Sequence, residues 1–207
     1  MKLTTTLNKI RACGPCASGW RTLVKHLGEE FVPNAEINLL TVLESNGVAD
    51  MIWILRAALG QDSKRIASQL AIEFAATTLP LFEKRRPNDE RPRKAIQAAR
   101  DYLDGKISLE ELRSCRSHAD AADADAAAYA AYAAAYAAAD DAAAYAAAYA
   151  AADDAAAYAA YAAAYAAAAD AAYADAAYAD AAYATYVAAR EKALQKQAEI
   201  IRMILEP

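Results

Sequence analysis

Through the first 118 residues, apolar side chains recur every three to four positions, the spacing of one buried face on an α-helix. Residues 18–27 put Leu23, Val24 and Leu27 on one side, and Gly28 follows as a stop. Asn34 is placed to cap a run carrying Ile37, Leu40 and Leu43, which Asn46-Gly47 breaks. Residues 48–59 carry Ile52, Leu55 and Leu59 at helical spacing, with Gly60 behind them. Asp62 is placed to cap a helix bearing Ile66, Leu70 and Phe74, which Pro80 should end or kink near Leu79. Asp89 does the same for a helix bearing Ile96, Ala99 and Leu103, with Pro92 tolerated in the first turn and Gly105 as the stop. Ser108-Leu-Glu-Glu111 spells a capping box. No alternating strand of any length is visible. The pattern predicts an all-α fold: a head, residues 1–118, of five or six short helices around Trp53, Phe74, Phe82 and the Leu/Ile stripes.

The pattern changes at residue 119. Residues 119–189 hold 47 Ala, 12 Tyr and 10 Asp, with one Thr and one Val and no Lys, Arg, Gly or Pro. Ala has the highest helix propensity, so this tract is predicted helical. As one helix it would span about 107 Å at 1.5 Å per residue. Tyr129, Tyr132 and Tyr136 recur 29 residues later as Tyr158, Tyr161 and Tyr165, close to eight whole turns, so both triplets share a face. Tyr145 and Tyr149 lie 13 residues beyond Tyr132 and Tyr136, which turns them to the other side of a continuous helix. Two arrangements fit. One long helix carries tyrosines on both sides, or the pairs Asp140-Asp141 and Asp153-Asp154 cap several packed helices whose tyrosines face one core. Residues 190–207 form a third section, an amphipathic helix with Leu194, Ala198, Ile201 and Leu205 in its stripe. It is expected to return to the head or to pair with a second copy.

Charge separates the same sections. The net charge is −5. The residues outside the tract hold all 22 basic and 17 of the 27 acidic residues, so a head of about +5 carries a tract of about −10. The overall sign is wrong for neutralising phosphates, so direct DNA or RNA binding is not expected. Asp interrupts the tract so often that no Asp-free run exceeds 15 residues, short of the ~20 apolar residues a membrane span needs. The opening residues carry no apolar signal region, and three cysteines are too few and odd in number for a secreted disulfide scaffold. A soluble, cytoplasmic protein is expected.

The segment LPLFEKRRPNDERPRKAIQAARDYLDGKISLEEL, residues 79–112, together with LESNGVADMIWILRAAL, residues 43–59, resembles the Imm-5-like immunity proteins of bacteria and bacteriophages. The likeness is strongest over residues 43–112 and extends as motif over roughly residues 10–118. Over the Ala-rich tract it is one of composition. The resemblance implies a non-enzymatic role in neutralising a partner, and it brings no catalytic residues, so no catalytic site is assigned. Carriage by a phage would imply counter-defence.

Candidate chemistry is sparse. Cys13-Gly-Pro-Cys16 has the spelling of a redox motif but lacks the βαβ setting that such a motif needs. Cys13 and Cys16 with Cys115 and His118 supply a Cys₃His set that would hold structural zinc, tying the N-terminus to the start of the tract. The same residues are also explained as small buried cysteines and a surface histidine. No other cofactor is implied. Arg85, Arg86, Arg91 and Arg93, with Lys84 and Lys94, flank a helix start and suit an anion. Tyr129, Tyr132, Tyr136, Tyr158, Tyr161 and Tyr165 with the interspersed Asp suit a basic protein partner, a host protein or a toxin. With the head arginines they also suit a small phosphorylated nucleotide. Three functions follow: a non-enzymatic inhibitor of a protein, as an immunity or phage counter-defence factor; a nucleotide-sequestering binder; and a structural homo-oligomer assembled through the tract.

Overall fold

The computed structural model describes residues 3–59, 63–120 and 179–206. Their architecture is all-α apart from one very short antiparallel pairing. In it β1 (Thr4–Thr5) lies against β2 (Ile37–Asn38), with Thr4 opposite Asn38 and Thr5 opposite Ile37. The Leu59 N–H donates to the Thr4 carbonyl at 2.7 Å, so one extended residue joins three segments. The buried Thr5 hydroxyl donates to the Ala57 carbonyl at 2.6 Å, which satisfies it in the core.

This pairing displaces two boundaries that periodicity suggests. Ile37 belongs to β2 and not to a helix, and Asn34 is no cap. The Asn34 side-chain oxygen Oδ1 instead accepts from the Asn8 side-chain amide at 2.6 Å. Asn38 is the cap: its side-chain oxygen accepts the Leu40 N–H at 3.0 Å and starts α3 (Leu39–Asn46). Earlier in the chain, α1 (Leu7–Ala12) and α2 (Ala17–Leu27) are joined by the Cys13–Cys16 turn, and Gly28 closes α2 with φ 86° as its stop signal suggests. After Gly47 comes α4 (Val48–Ile54), which tightens to a single 3₁₀ turn (Leu55–Ala57). The chain becomes extended at Ala58, ahead of Gly60, because Leu59 is drawn to Thr4.

The long helix α5 (Ser63–Arg85) runs straight past the expected stop, with Pro80 inside it. Pro80 is exposed, and its ring leaves the carbonyl of the half-buried Ala76 without an intrahelical donor. The stripe Ile66, Leu70 and Phe74 is buried ahead of it. Next, α6 (Arg91–Leu103) starts where the Asp89 carboxylate accepts the Arg91 N–H at 3.1 Å, with Pro92 in its first turn. The capping box of α7 (Leu109–Asp120) forms as spelled. Ser108 Oγ accepts the Glu111 N–H at 3.3 Å, and Glu111 Oε2 accepts the Ser108 N–H at 2.7 Å.

The last helix, α8 (Ala179–Leu205), returns to the head and packs on α5, α3 and α4. Its Ile200, Ile201 and Leu205 are buried in the same core as Phe74, Leu70, Met51, Ile52, Leu39, Ile96 and Leu112. The end of the Ala-rich tract and the C-terminal stripe are therefore one helix. Trp53, expected in the core, sits half-buried at its edge. The side chain of Phe82, the residues Gly60 and Asp62, and residues 121–178 lie outside the described residues. The choice between one long helix and several falls there too. No described helix is long and apolar enough to cross a membrane.

Candidate functional site

The turn between α1 and α2 builds one wall of a pocket. Cys13 ends α1, Gly14 takes φ 71°, and Cys16 caps α2. Cys16 Sγ accepts the Gly19 N–H at 3.3 Å and lies 3.5 Å from the Ser18 hydroxyl. These two contacts, the Ser18 hydroxyl first, hold the exposed Cys16 thiol below its ordinary pKa of 9.0. The opposite wall comes from α4 and the end of α3. Between the walls lies a cavity of about 420 Å³. The buried Ile10, Leu23 and Ile54 form its apolar floor. Trp20 and Trp53 line its sides, and Cys16, Asn46 and Asp50 supply the polar groups.

Each indole is held by a guanidinium of this chain. The Arg11 Cζ stands 5.0 Å from the Trp20 ring centroid and the Arg56 Cζ 4.8 Å from that of Trp53. Arg56 is fixed in turn by donating from Nε to the Trp53 carbonyl at 2.9 Å. Asp50 is positioned by Asn46, whose amide donates to Asp50 Oδ2 at 2.7 Å and to the Gly19 carbonyl at 2.9 Å. That amide thus ties α2 to α4 across the cavity. The Asp50 carboxylate comes so close to α2 that a β-carbon on residue 19 would stand 2.6 Å from Oδ2 and 3.2 Å from Cys16 Sγ. Glycine there is what admits it.

The basic residues singled out by sequence lie elsewhere, at the α5–α6 corner. There an open concavity of about 680 Å³ is lined by Arg86, Asn88, Asp89, Glu90, Arg91 and Lys94. Its cations are matched by carboxylates. Arg91 donates from Nε to Asp89 Oδ1 at 2.8 Å and from Nη2 to Asp89 Oδ2 at 2.6 Å. Arg93 grips Glu83 in the same two-pronged way, at 2.7 and 2.6 Å. Lys94 pairs with Glu90 at 2.9 Å. The Arg91 side chain holds the Asp89 carboxyl below its ordinary range, and Lys94 does the same to Glu90. This corner is a knot of internal ion pairs, and an anion would have to compete with those carboxylates.

The remaining predicted site residues lie partly outside the described residues. Cys13 and Cys115 are half-buried against the core and Cys16 is exposed, all three as free thiols. Among the described residues no group of three or more His, Cys, Asp or Glu side chains is placed to hold a metal ion. The His118 and Arg85 side chains, and Tyr129, Tyr132, Tyr136, Tyr158, Tyr161 and Tyr165, lie outside the described residues. Sequence reasoning missed the tryptophan pocket, because its lining comes from three segments whose proximity only the packing reveals. The available signal was that both tryptophans of the chain follow Gly- or Asp-containing helix starts.

The described residues define an all-α scaffold whose core is closed by its own C-terminal helix. The Imm-5 like putative immunity protein family matches residues 57–203, and the chain belongs to that family. The match runs from the 3₁₀ turn after α4 through the Ala-rich tract into α8, so it begins later and ends further along the chain than residues 43–112, where the sequence likeness is strongest. No curated protein and no solved structure matches the chain.

Proposed function

We propose that the protein is an immunity factor that acts without catalysis, by binding and neutralising a basic protein in the cytoplasm, such as a toxin or a host defence protein. Membership of the immunity-protein family over residues 57–203 is the observation that carries this reading. The charge distribution supports the sign of the partner: the tract places ten Asp among twelve Tyr with no basic residue to pair them. The internal ion pairs of Arg91 and Arg93 weigh against the nucleotide reading, because the guanidiniums that would hold phosphate already hold carboxylates.

The test is a titration in cells and in solution. Basic toxins are co-expressed one at a time with the full chain, and growth is scored at graded ratios of the two proteins. Growth restored only at or above a fixed ratio, with the purified pair co-eluting, is the expected outcome. Neutralisation by far fewer copies than the toxin would mean turnover and would overturn the reading.

A further inference from the structure

We infer that the Trp20–Trp53 pocket receives the side chain of a lysine or arginine from the partner protein, with Asp50 as the counter-charge; the identity of the partner rests on the reading above. Asp50 carries the charge of the cavity. Its carboxylate faces the cavity and accepts the Asn46 amide at 2.7 Å. Among the described residues no lysine or arginine forms an ion pair with it. An apolar occupant would strip water from this charge and return nothing, which is unfavourable. An occupant ending in an ammonium or guanidinium restores what the water gave. The body of the cavity selects for the rest of that side chain. Two indoles and the floor of Ile10, Leu23 and Ile54 suit an alkyl stem, and the charged head is left to Asp50.

Arg11 and Arg56 sharpen the case. They fix the indole planes before anything binds, which removes part of the ordering cost. They also place positive charge near the site, so the indoles alone would not hold a further cation. Asp50 decides the matter, and Gly19 is the residue that makes room for it.

The pocket reports on itself, because Trp20 and Trp53 are the only tryptophans in the chain. The full-length protein is titrated with N-acetyl-arginine methylamide and N-acetyl-lysine methylamide, and tryptophan-selective fluorescence is recorded. N-acetyl-norleucine methylamide, of similar stem length and no charge, is the control. Saturable binding of the charged probes in the millimolar range is expected, with the neutral probe at least about tenfold weaker. The Asp50→Asn variant keeps the shape and the contact to Asn46 and is expected to lose at least about tenfold for the charged probes. Gly19→Ala, which pushes the carboxylate aside, is expected to do the same by a different route. Equal binding of the neutral probe, no saturable binding of the charged ones, or an unchanged Asp50→Asn would overturn the inference. Neutralisation of a toxin with the pocket inert would refute this inference alone. A pocket that binds the probes in a chain that neutralises no toxin would refute the immunity reading alone.

Discussion

Asp50 and Gly19 fit together as a pair: the carboxylate of one occupies the space that a β-carbon on the other would need, with only 2.6 Å between them. Gly19 lies in the first turn of α2, and within a helix glycine is up to about 1 kcal/mol less favourable than alanine. The helix accepts that cost so that the carboxylate can lie against it. Gly19→Ala should therefore change stability by less than about 1 kcal/mol, because the helical gain offsets the displacement of Asp50. In an Asp50→Ala background the clash with the carboxylate is gone, and Gly19→Ala should be stabilising by up to about 1 kcal/mol. A urea double-mutant cycle reads the difference. Additivity of the two substitutions would mean that the close approach has no energetic weight.

The capping box at Ser108 and Glu111 makes a pH-dependent contribution with a defined sign. Glu111 accepts the Ser108 N–H and hydroxyl, which hold its carboxyl below the ordinary value of 4.5. A carboxylate with a depressed folded pKa stabilises fully above its unfolded pKa, and the contribution disappears as pH falls through the folded value. The stability gap between wild type and Glu111→Gln should thus be constant at neutral pH and close below about pH 4. Ser108→Ala should cost about 1 kcal/mol at neutral pH, since it removes the hydroxyl that accepts the Glu111 N–H, and less in acid, where its bond to the carboxylate is lost in the wild type too. Thermal unfolding at stepped pH tests both.

Docking of α8 gives a third expectation. Ile201 is fully buried, whereas Met203 two residues later is 64% exposed. Ile201→Ala should cost about 2–5 kcal/mol and Met203→Ala less than about 0.5 kcal/mol. Denaturant midpoints of the full-length variants are the measurement. A small effect at Ile201 would mean that the head is stable without its last helix.

These cases also show what could be read from the chain. Caps and stops that act within three residues were legible: Gly28, Ser108 with Glu111, and Asp89 ahead of α6. Features set by distant partners were not. The two-residue pairing of Thr5 with Ile37 is too short to leave a period, yet it moves the α3 cap from Asn34 to Asn38. The Pro80 rule gave way because packing of the Ile66–Phe74 face outweighs one lost hydrogen bond at an exposed position. The C-terminal stripe was read correctly as a face needing a partner, and the choice of the head over a second copy came from packing. The candidate site was the least legible part. Trp20, Asn46, Asp50 and Trp53 share no motif, and what unites them is that α2, α3 and α4 line one cavity.

Pro80 itself can be tested. Its ring removes one N–H from the interior of α5, where proline is disfavoured by about 3 kcal/mol relative to alanine. Part of that is offset because proline also restricts the unfolded chain. Pro80→Ala should therefore stabilise the protein by about 1–2 kcal/mol, seen as a raised thermal midpoint. A destabilised variant would mean that the proline shapes the path from α5 into the Asp89–Arg91 corner.

Cys16 should be the most reactive of the three thiols. It is exposed, sits at the N-terminus of an eleven-residue helix, and is favoured as thiolate by the Ser18 hydroxyl and the Gly19 N–H. Cys13 and Cys115 are half-buried against the core. Limiting iodoacetamide at pH 7.5, about physiological, followed by peptide mass mapping, should modify Cys16 first and by several-fold. Because the same sulfur caps α2, alkylation should also loosen the first turn and alter the fluorescence of Trp20 one turn on. Cys16→Ser separates the two roles. Serine is a strong N-cap, so this variant should keep or slightly raise stability while abolishing the fast modification. Cys16→Ala should lose both, with a lowered thermal midpoint. Equal labelling of all three cysteines would show that the helix terminus and its two donors do not activate this thiol.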